Sequence, residues 1–487
     1  MLNVTDYKKK LLRSRLFIMK KIADNFCGYL KVGDDKYTYY VSENIVTLLP
    51  AQSDKRKIYE SFDKIQNRNI ERPEYLYGED NGGMIAILRN GKFSTSGMGF
   101  SPIIKFSTPI IIKASGNAQG FFGMMTEPWE KFHAITFYGG NINALCDPGL
   151  AIQPPDVDQY LKYDGAREIR MRPWSEYTRS IDFKIGNEKV TLTFSIRQDG
   201  GTNGIGHQGA YNLGNLNSFI RFSFENAQQF DRIQECYLIA KKLTAILTSQ
   251  NNVYFEGYLS QKNADDKFFE TGICKIFDRY DNYSTRKCHN VIPIFSIFDY
   301  IPNLIEGIVN GKADTLLELL PENNDMVNRI SIKNVQDLCT ALEVTYHLDD
   351  KGSREKDVLI EEIKKNIKKT IADFSKSHIE IDVNKETTIS SAFQYLDYTL
   401  KQKILTLYNE NHEVADAIVS KWVLPQVNET NIASFVNLRN NKTHSGTVEW
   451  GDSAKLYAPL LAIVYAGFFK YIGLPDEIII CTLLQIF

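Results

Sequence analysis

The sequence predicts an α+β protein with two domains, a β-rich N-terminal domain over residues 1–305 and an all-α domain over residues 306–487. Between residue 26 and about residue 225, short β-branched and aromatic runs alternate with turn residues, which is typical of half-buried strands. Beyond Pro302, apolar residues recur at helical spacing almost to the end of the chain. The dense aromatic residues of the first part favour a sandwich or a barrel-like set of sheets.

Turn residues between apolar runs predict three β-hairpins in the N-terminal part. They are Tyr29 to Tyr40 across Gly33-Asp34-Asp35, Met84 to Phe93 across Asn90-Gly91, and Ile181 to Ile196 across Gly186-Asn187. Asn-Gly is a strong type I′ signal because both central residues of that turn need positive φ. The stretch from Gly200 to His207 is rich in glycine but lacks the Gly-Lys-Ser/Thr of a phosphate loop, so a flexible β–β loop is favoured there.

Helical periodicity places the first long helix near residues 225–250, where apolar residues from Phe230 to Leu247 share one face. Six further helices are predicted at about 333–348, 353–374, 391–411, 413–424, 431–445 and 453–472. Their connections are short, which predicts an antiparallel bundle. In the helix near 353–374 the lysines face away from the apolar stripe, and a solvated face is favoured over an RNA groove.

Composition limits the classes of protein to which the chain can belong. The net charge of −2 gives no overall basic field for a nucleic-acid partner, so any RNA contact has to be local. The seven cysteines are odd in number and form no Cys-x-x-Cys pair, which favours a reducing, cytoplasmic location. The longest apolar run, Ala458 to Phe469, is shorter than the roughly 20 residues that span a bilayer, so no membrane segment is predicted.

Three possible metal ligands occur between residues 274 and 289. Cys274, Cys288 and His289 lack the close pairs of a zinc site, so buried thiols and a surface histidine are favoured over a metal. No metal and no cofactor are therefore predicted. His347 and His412 are predicted to be surface residues.

The six residues from Arg439 to His444 interrupt an apolar helix face near the C-terminus. That helix begins after the capping run 429–431, and its apolar stripe runs from Ile432 to Val436. Arg439 takes the next place on the stripe, and Asn440 and His444 stack one turn apart on its flank. Polar groups at core positions are either paired or kept for chemistry. The structural alternative is a buried ion-pair and capping network, because Arg and His near a helix C-terminus also suit the helix dipole.

These residue types suit metal-independent cleavage of RNA, in which the ribose 2′-hydroxyl attacks the adjacent phosphate. Histidine, with an ordinary pKa of about 6.5, moves protons at neutral pH. Arginine stays charged and fits phosphate oxygens with a planar fork, which suits a dianionic transition state. We assign proton transfer to His444 and phosphate stabilisation to Arg439. Asn440 would orient the phosphate or the imidazole, and Lys442 and Thr443 would contribute to substrate binding.

A C-terminal helical bundle with Arg-Asn-x-x-x-His late in the domain resembles the HEPN superfamily, which includes metal-independent ribonucleases. In those nucleases the residue after the arginine is often Asn, Asp or His, and Asn440 matches. In this superfamily an upstream helix usually supplies an acidic residue. Glu343, within Leu338 to Val344, lies in a predicted upstream helix and matches this position. It would pair with Arg439 or fix the tautomer of the imidazole. The layout also resembles ApeA-type anti-phage defence proteins, with Tyr77 to Ile85 similar to part of their N-terminal domain.

The resemblance implies an endoribonuclease effector of abortive infection that leaves a 2′,3′-cyclic phosphate and a 5′-hydroxyl, with tRNA the first candidate among RNA substrates. It also implies a homodimer through the HEPN domain. The motif itself favours a dimer, because a single chain supplies only one motif arginine and one motif histidine to an active site. The β-rich domain would bind a phage-derived trigger and restrain the nuclease. The alternative is a non-catalytic ligand-binding protein whose helical bundle serves as a dimerisation module.

Overall fold

The computed structural model describes most of the chain, in stretches separated by gaps. The described residues are 22–32, 35–50, 75–81, 84–89, 93–96, 103–114, 128, 130–153, 170–199, 215–277, 290–322, 330–348, 358–377, 387–388, 398–445 and 451–487. For residues 440–445 the description covers the helical backbone alone.

The chain divides into two compact units, which we call the sheet unit and the helical unit. The sheet unit comprises residues 1–244 and 252–285, and the helical unit comprises residues 245–251 and 286–487. A large antiparallel sheet in the N-terminal half and a helical C-terminal region confirm the predicted α+β class in this general form. The domain boundary between residues 305 and 306 stays a prediction.

Sixteen strands are described in the sheet unit. They are β1 (Asn25–Val32), β2 (Asp35–Ser42), β3 (Ile45–Pro50), β4 (Tyr75–Asp80), β5 (Ile85–Arg89), β6 (Phe93–Ser96), β7 (Ile103–Ser107), β8 (Ile110–Ala114), β9 (Phe132–Tyr138), β10 (Ile152–Gln153), β11 (Arg170–Met171), β12 (Arg179–Ile185), β13 (Glu188–Asp199), β14 (Asn215–Gln228), β15 (Glu256–Lys262) and β16 (Phe268–Ile276). Fourteen of them form one sheet in the order β12-β13-β14-β9-β15-β16-β8-β5-β4-β1-β2-β3-β7-β6, and β10 pairs with β11.

Every neighbouring pair in the large sheet is antiparallel. Apolar and polar residues alternate along the strands. Because side chains of successive residues point to opposite sides of a sheet, this alternation gives the sheet one apolar face. On that face Phe137 is fully buried and lies 6.0 Å from the ring of Tyr237 and 5.7 Å from that of Phe255. The predicted choice between a sandwich and a barrel-like sheet stays a prediction.

Two of the three predicted hairpins have the expected pairing. Strands β1 and β2 pair with Val32 opposite Asp35, and the turn residues between them, 33–34, lie outside the described residues. Strands β12 and β13 pair with Ile185 opposite Glu188. Gly186 has φ +60°, the left-handed conformation that glycine adopts at little cost.

The predicted hairpin from Met84 to Phe93 is wrong. Strand β5 pairs with β4 on one edge and with β8 on the other, so it has no free edge for β6, which pairs with β7 instead. The Asn90-Gly91 turn itself lies outside the described residues. The Asn90-Gly91 turn signal was overridden here by the adjacent β4–β5 hairpin together with the long-range pairing of β5 with β8, which no short window of sequence contains.

Eleven α-helices are described. They are α1 (Gly140–Leu145), α2 (Trp174–Tyr177), α3 (Arg232–Thr248), α4 (Ile301–Val309), α5 (Asp314–Leu319), α6 (Ile332–Tyr346), α7 (Val358–Ser377), α8 (Leu400–Trp422), α9 (Glu429–Ser445), α10 (Tyr457–Tyr471) and α11 (Asp476–Ile486). The helix predicted near 225–250 corresponds to α3, which begins later because β14 continues to Gln228.

The predicted helices of the C-terminal part differ from the observed ones mainly at their ends. The two helices predicted at 391–411 and 413–424 appear as one helix, α8, kinked at Asn411, where φ is −130°; residues 391–397 lie outside the described residues. The helix predicted at 453–472 starts as a 3₁₀ turn over Asp452–Leu456. Helix α10 begins only at Tyr457, because Pro459 has no N–H and is tolerated only in a first turn.

Helix α6 occupies a central place in the helical unit, where it packs against α5, α8, α9 and α10. Its contact with α10 is close. A Cβ added to Gly467 would lie 2.4 Å from Cγ2 of Thr345, so the two helices approach at a position where α10 has no side chain. The position of α6 is therefore fixed by its neighbours as well as by its own sequence.

Candidate functional site

Helix α9 carries the Arg439–His444 motif. The helix begins at Glu429 and is capped by Asn428, so the prediction that residues 429–431 cap it is wrong; Asn428 Oδ1 accepts the N–H of Asn431 at 2.9 Å. Ile432 and Phe435 are fully buried, as the apolar stripe predicts. Arg439 follows them at the edge of this stripe and is half-buried. The guanidinium therefore lies neither in a sealed interior nor fully in solvent.

The other motif residues lie where the structure describes backbone alone. Asn440, Lys442, Thr443 and His444 belong to α9, which extends to Ser445. Their side chains lie outside the described residues. The roles predicted for these four residues therefore stay predictions, and Arg439 is the one motif side chain whose surroundings are described.

Glu343 lies on α6, and the local sequence explains why this helix begins where it does. Ser331 accepts the N–H of Asn334 at 3.2 Å, and the Asn334 side chain accepts the N–H of Ser331 at 2.9 Å, which makes a capping box. The predicted stripe is buried along the whole helix, at Val335, Leu338, Cys339, Leu342 and Tyr346. Glu343 is half-buried at the flank of this stripe, as predicted.

The Cys339 thiol links the surroundings of Glu343 and Arg439. This thiol is fully buried, and its burial raises the pKa of Cys339 to about 12. The positive charge of Arg439 lowers this pKa, while the negative charge of Glu343 raises it further. The charges of Glu343, on α6, and of Arg439, on α9, therefore act on the same sulfur atom. The charges of the acid and of the arginine that the motif analysis selected separately thus both reach the Cys339 thiol.

The solvent side of Glu343 opens into a groove of about 390 Å³. Four of its lining residues come from α6 and its C-terminal cap, at the helical spacing Thr340, Glu343, Val344 and His347. Lys312 and Thr315 line the facing wall. One concave surface of the helical unit therefore carries a cation, a carboxylate, an imidazole and two hydroxyls. Val344 adds an apolar side chain to the same surface.

Lys312 is placed in the groove wall by the tight turn between α4 and α5. The N–H of Lys312 donates to the carbonyl of Gly307 at 2.9 Å, and Gly311 adopts φ +72°. This is the left-handed geometry that ends many helices and favours glycine. The ammonium of Lys312 lies 5.6 Å from the ring centroid of Tyr471, a cation–π contact.

His347 is exposed, as predicted, but the sequence analysis missed its place in the groove. Its ring meets that of Tyr346 edge-on, with centroids 5.0 Å apart. Thr340, Glu343 and His347 form a polar stripe at i, i+3 and i+7, and this spacing was the available signal. The facing residue Lys312 gave no signal, because its position depends on how the α4–α5 turn packs.

Comparisons with family models, curated proteins and solved structures found no match to this chain. Among the residues that the structure describes, no group of three or more His, Cys, Asp or Glu is arranged to hold a metal ion. Cys274 is buried in β16, while Cys288 and His289 lie outside the described residues. Within the same described part of the chain, no helix combines the length and the apolar character needed to span a membrane.

Proposed function

We propose that this protein is a metal-independent endoribonuclease of the HEPN type, with its active site in the helical unit. His444 acts as the acid/base group and Arg439 stabilises the phosphate. Asn440 orients the phosphate or the His444 imidazole, and Lys442 and Thr443 contact the RNA. Glu343 acts from the neighbouring helix on the guanidinium or on an imidazole.

One observation carries this proposal: the Glu343 and Arg439 charges converge on the Cys339 thiol, beside a groove that opens to solvent. A purely structural arginine at this place would be expected in a closed interior. Arg439 is instead half-buried, and Glu343 lines a groove large enough for part of a nucleotide. Pockets that hold a few convergent polar groups are the default candidates for binding sites.

The chemistry of the proposed site follows from its residue types. The 2′-hydroxyl of the ribose gives its proton to His444 as its oxygen attacks the neighbouring phosphorus. The guanidinium of Arg439 donates to the phosphate oxygens, whose negative charge increases in the transition state. The bond from phosphorus to the 5′-oxygen then breaks, and the departing oxygen takes a proton from a protonated side chain or from water. The products are a 2′,3′-cyclic phosphate and a 5′-hydroxyl.

We place this activity in anti-phage defence by abortive infection, in the cytoplasm, with tRNA as the first substrate to test. The sheet unit would bind a phage-derived trigger and restrain the nuclease until infection. A homodimer through the helical unit would place two motifs across one cleft. These assignments rest on the resemblance to HEPN and ApeA-type proteins.

Cleavage of total RNA and of tRNA in EDTA, by the purified chain with and without added phage lysate as a source of the trigger, tests the proposal. Because proton transfer contributes about 10²–10⁴-fold and a positioned charge about 10²–10³-fold, His444→Ala and Arg439→Ala should each reduce the cleavage rate at least about 100-fold. Arg439→Lys should also be slow, since it keeps the charge but loses the fork. Sedimentation of the same preparation should give twice the chain mass of 55.7 kDa.

His412→Ala is the matched control for His444→Ala. His412 is exposed on α8, where its Nδ1 lies 3.0 Å from the carbonyl of Asn409, so its loss should leave both cleavage and the circular dichroism spectrum unchanged. If His444→Ala and Arg439→Ala unfold the chain, or fold and still cut RNA at the parent rate, the nuclease proposal is wrong.

A further inference from the structure

Cleavage of RNA by 2′-hydroxyl attack needs two proton transfers, one from the 2′-oxygen and one to the departing 5′-oxygen. The motif supplies one imidazole per chain, that of His444. The groove beside Glu343 contains a second imidazole, that of His347, in the same helical unit. It also contains a lysine and two threonine hydroxyls, which are groups that bind phosphate and sugar oxygens.

Glu343 on α6 and His347 at the C-cap of this helix are four residues apart and line the same groove. Within the described part of the chain, neither the Glu343 carboxylate nor the His347 imidazole makes a hydrogen bond or an ion pair; the described interactions of the imidazole are its ring contact with Tyr346 and its place in the groove wall. Both groups are therefore available to a ligand. A carboxylate at this spacing can accept an N–H of the imidazole and so fix the ring orientation.

Glu343 also connects the groove with the motif helix. Its charge acts on the Cys339 thiol together with that of Arg439, while its side chain lines the groove. Glu343 is thus the groove residue whose charge reaches the same thiol as that of Arg439. The ammonium of Lys312 stands on the wall that faces α6, where it can meet the phosphate of the next nucleotide.

We propose that this groove holds the leaving nucleotide of the RNA and that His347 is the general acid of the cleavage reaction. The inference rests on the proposed nuclease function and deepens it.

The 2′-oxygen forms a bond to phosphorus, and its proton goes to His444. The bond from phosphorus to the 5′-oxygen breaks, and its electron pair stays on that oxygen. The 5′-oxygen takes the proton of the His347 imidazolium, and on RNA binding the Glu343 carboxylate would accept an N–H of the ring and so orient it.

The test compares two substrates that differ in the need for a general acid. RNA has a poor alkoxide leaving group, whereas a nucleoside 3′-(4-nitrophenyl phosphate) releases a stable phenolate that leaves without a proton. For His347→Ala we expect kcat on RNA to fall about 100-fold or more, while kcat on the nitrophenyl esters of the four nucleosides stays within a few-fold of the parent value. His444→Ala should lose activity on both substrates.

Two further variants separate binding from proton transfer. Lys312→Ala should raise KM for RNA with little change in kcat, because it removes a contact made equally in the ground and transition states. His412→Ala, on exposed α8, should change neither substrate. An equal loss of kcat on RNA and on the esters for His347→Ala would mean that the residue acts structurally, and the inference would be wrong.

The failure of this inference is distinguishable from that of the proposed function. If His444→Ala is inactive and His347→Ala cuts RNA at the parent rate, the nuclease stands and His347 is not its acid. If His444→Ala and Arg439→Ala cut RNA normally, the proposed active site is itself wrong, and this inference falls with it.

Discussion

Charged side chains are used differently in the sheet unit and along the groove of the helical unit. In the sheet unit, Lys113 and Asp80 form an ion pair of 2.7 Å with only 12% and 8% of their side chains exposed. In the groove, Glu343 and His347 lack such a bond to any residue that the structure describes. Ionised groups removed from water need partners, so the sheet unit uses its buried pair for structure. Groups left unpaired beside a groove remain available for ligands.

The largest expected effect comes from breaking the buried pair of the sheet unit. Asp80 also accepts the N–H of Met84 at 2.9 Å, and Lys113 lies 3.9 Å from the ring centroid of Phe26. Asp80→Asn leaves the Lys113 ammonium in this site without its counter-charge. We expect the free energy of unfolding to fall by about 3–5 kcal/mol, measured by urea unfolding of the sheet signal.

Two variants show whether burial is the cause of that effect. Asp182 pairs with Lys189 at 2.7 Å, but their side chains are 49% and 63% exposed, so Asp182→Asn should leave the unfolding midpoint almost unchanged. Glu343→Gln, at the groove, should change stability by less than about 0.5 kcal/mol and slow RNA cleavage instead. If Glu343→Gln destabilises the chain as much as Asp80→Asn does, the contrast between the two units is wrong.

The helices of the site could be predicted from sequence, and the groove could not. The buried stripes from Val335 to Tyr346 and from Ile432 to Phe435 depend on periodicity within one helix, which a short window contains. The wall at Lys312 depends on the turn at Gly311 and on its packing against α6, which is a tertiary property. Long-range pairing likewise overrode the Asn90-Gly91 turn signal, because both edges of β5 were already occupied.

The next effect in size concerns how closely backbones approach in the two units. In the sheet unit, a Cβ on Gly28 would lie 2.0 Å from the carbonyl oxygen of Glu79 and 2.8 Å from Cα of Asp80. Both are backbone atoms of the adjacent strand β4, which pairs with β1 and cannot move alone. We expect Gly28→Ala to lower the free energy of unfolding by about 1–3 kcal/mol, measured by urea unfolding.

The matched variant in the helical unit is Gly467→Ala. Its added Cβ would meet a side-chain methyl, Cγ2 of Thr345, at 2.4 Å, and the next nearest atom is 3.9 Å away. Alanine also favours the helix over glycine by about 1 kcal/mol, which offsets part of the clash. We expect a smaller loss than for Gly28→Ala. A larger one would show that the α6–α10 contact is as rigid as the sheet.

The smallest expected effect is a pH dependence at Cys339, the thiol between Glu343 and Arg439. Burial raises the pKa of Cys339 to about 12, whereas an unfolded chain loses this proton at a pH of about 8.5. The folded state therefore keeps the proton at pH values where the unfolded state has lost it, and rising pH favours unfolding. This stabilisation is complete below a pH of about 8.5 and is lost as the pH rises towards 12. Between about pH 7 and pH 9 it should fall by about 0.5–1 kcal/mol.

Urea unfolding followed at 222 nm, with Cys339→Ala beside the parent, isolates this contribution. The variant lacks the thiol, so its stability should fall less between pH 7 and pH 9, by about 0.5–1 kcal/mol. Val335→Ala removes volume from the same buried stripe without removing a titrating group, so its pH profile should run parallel to that of the parent. Since the Arg439 charge lowers the pKa of this thiol, Arg439→Ala should raise it further. Parallel profiles for Cys339→Ala and the parent would mean that the thiol is not held protonated beside this site.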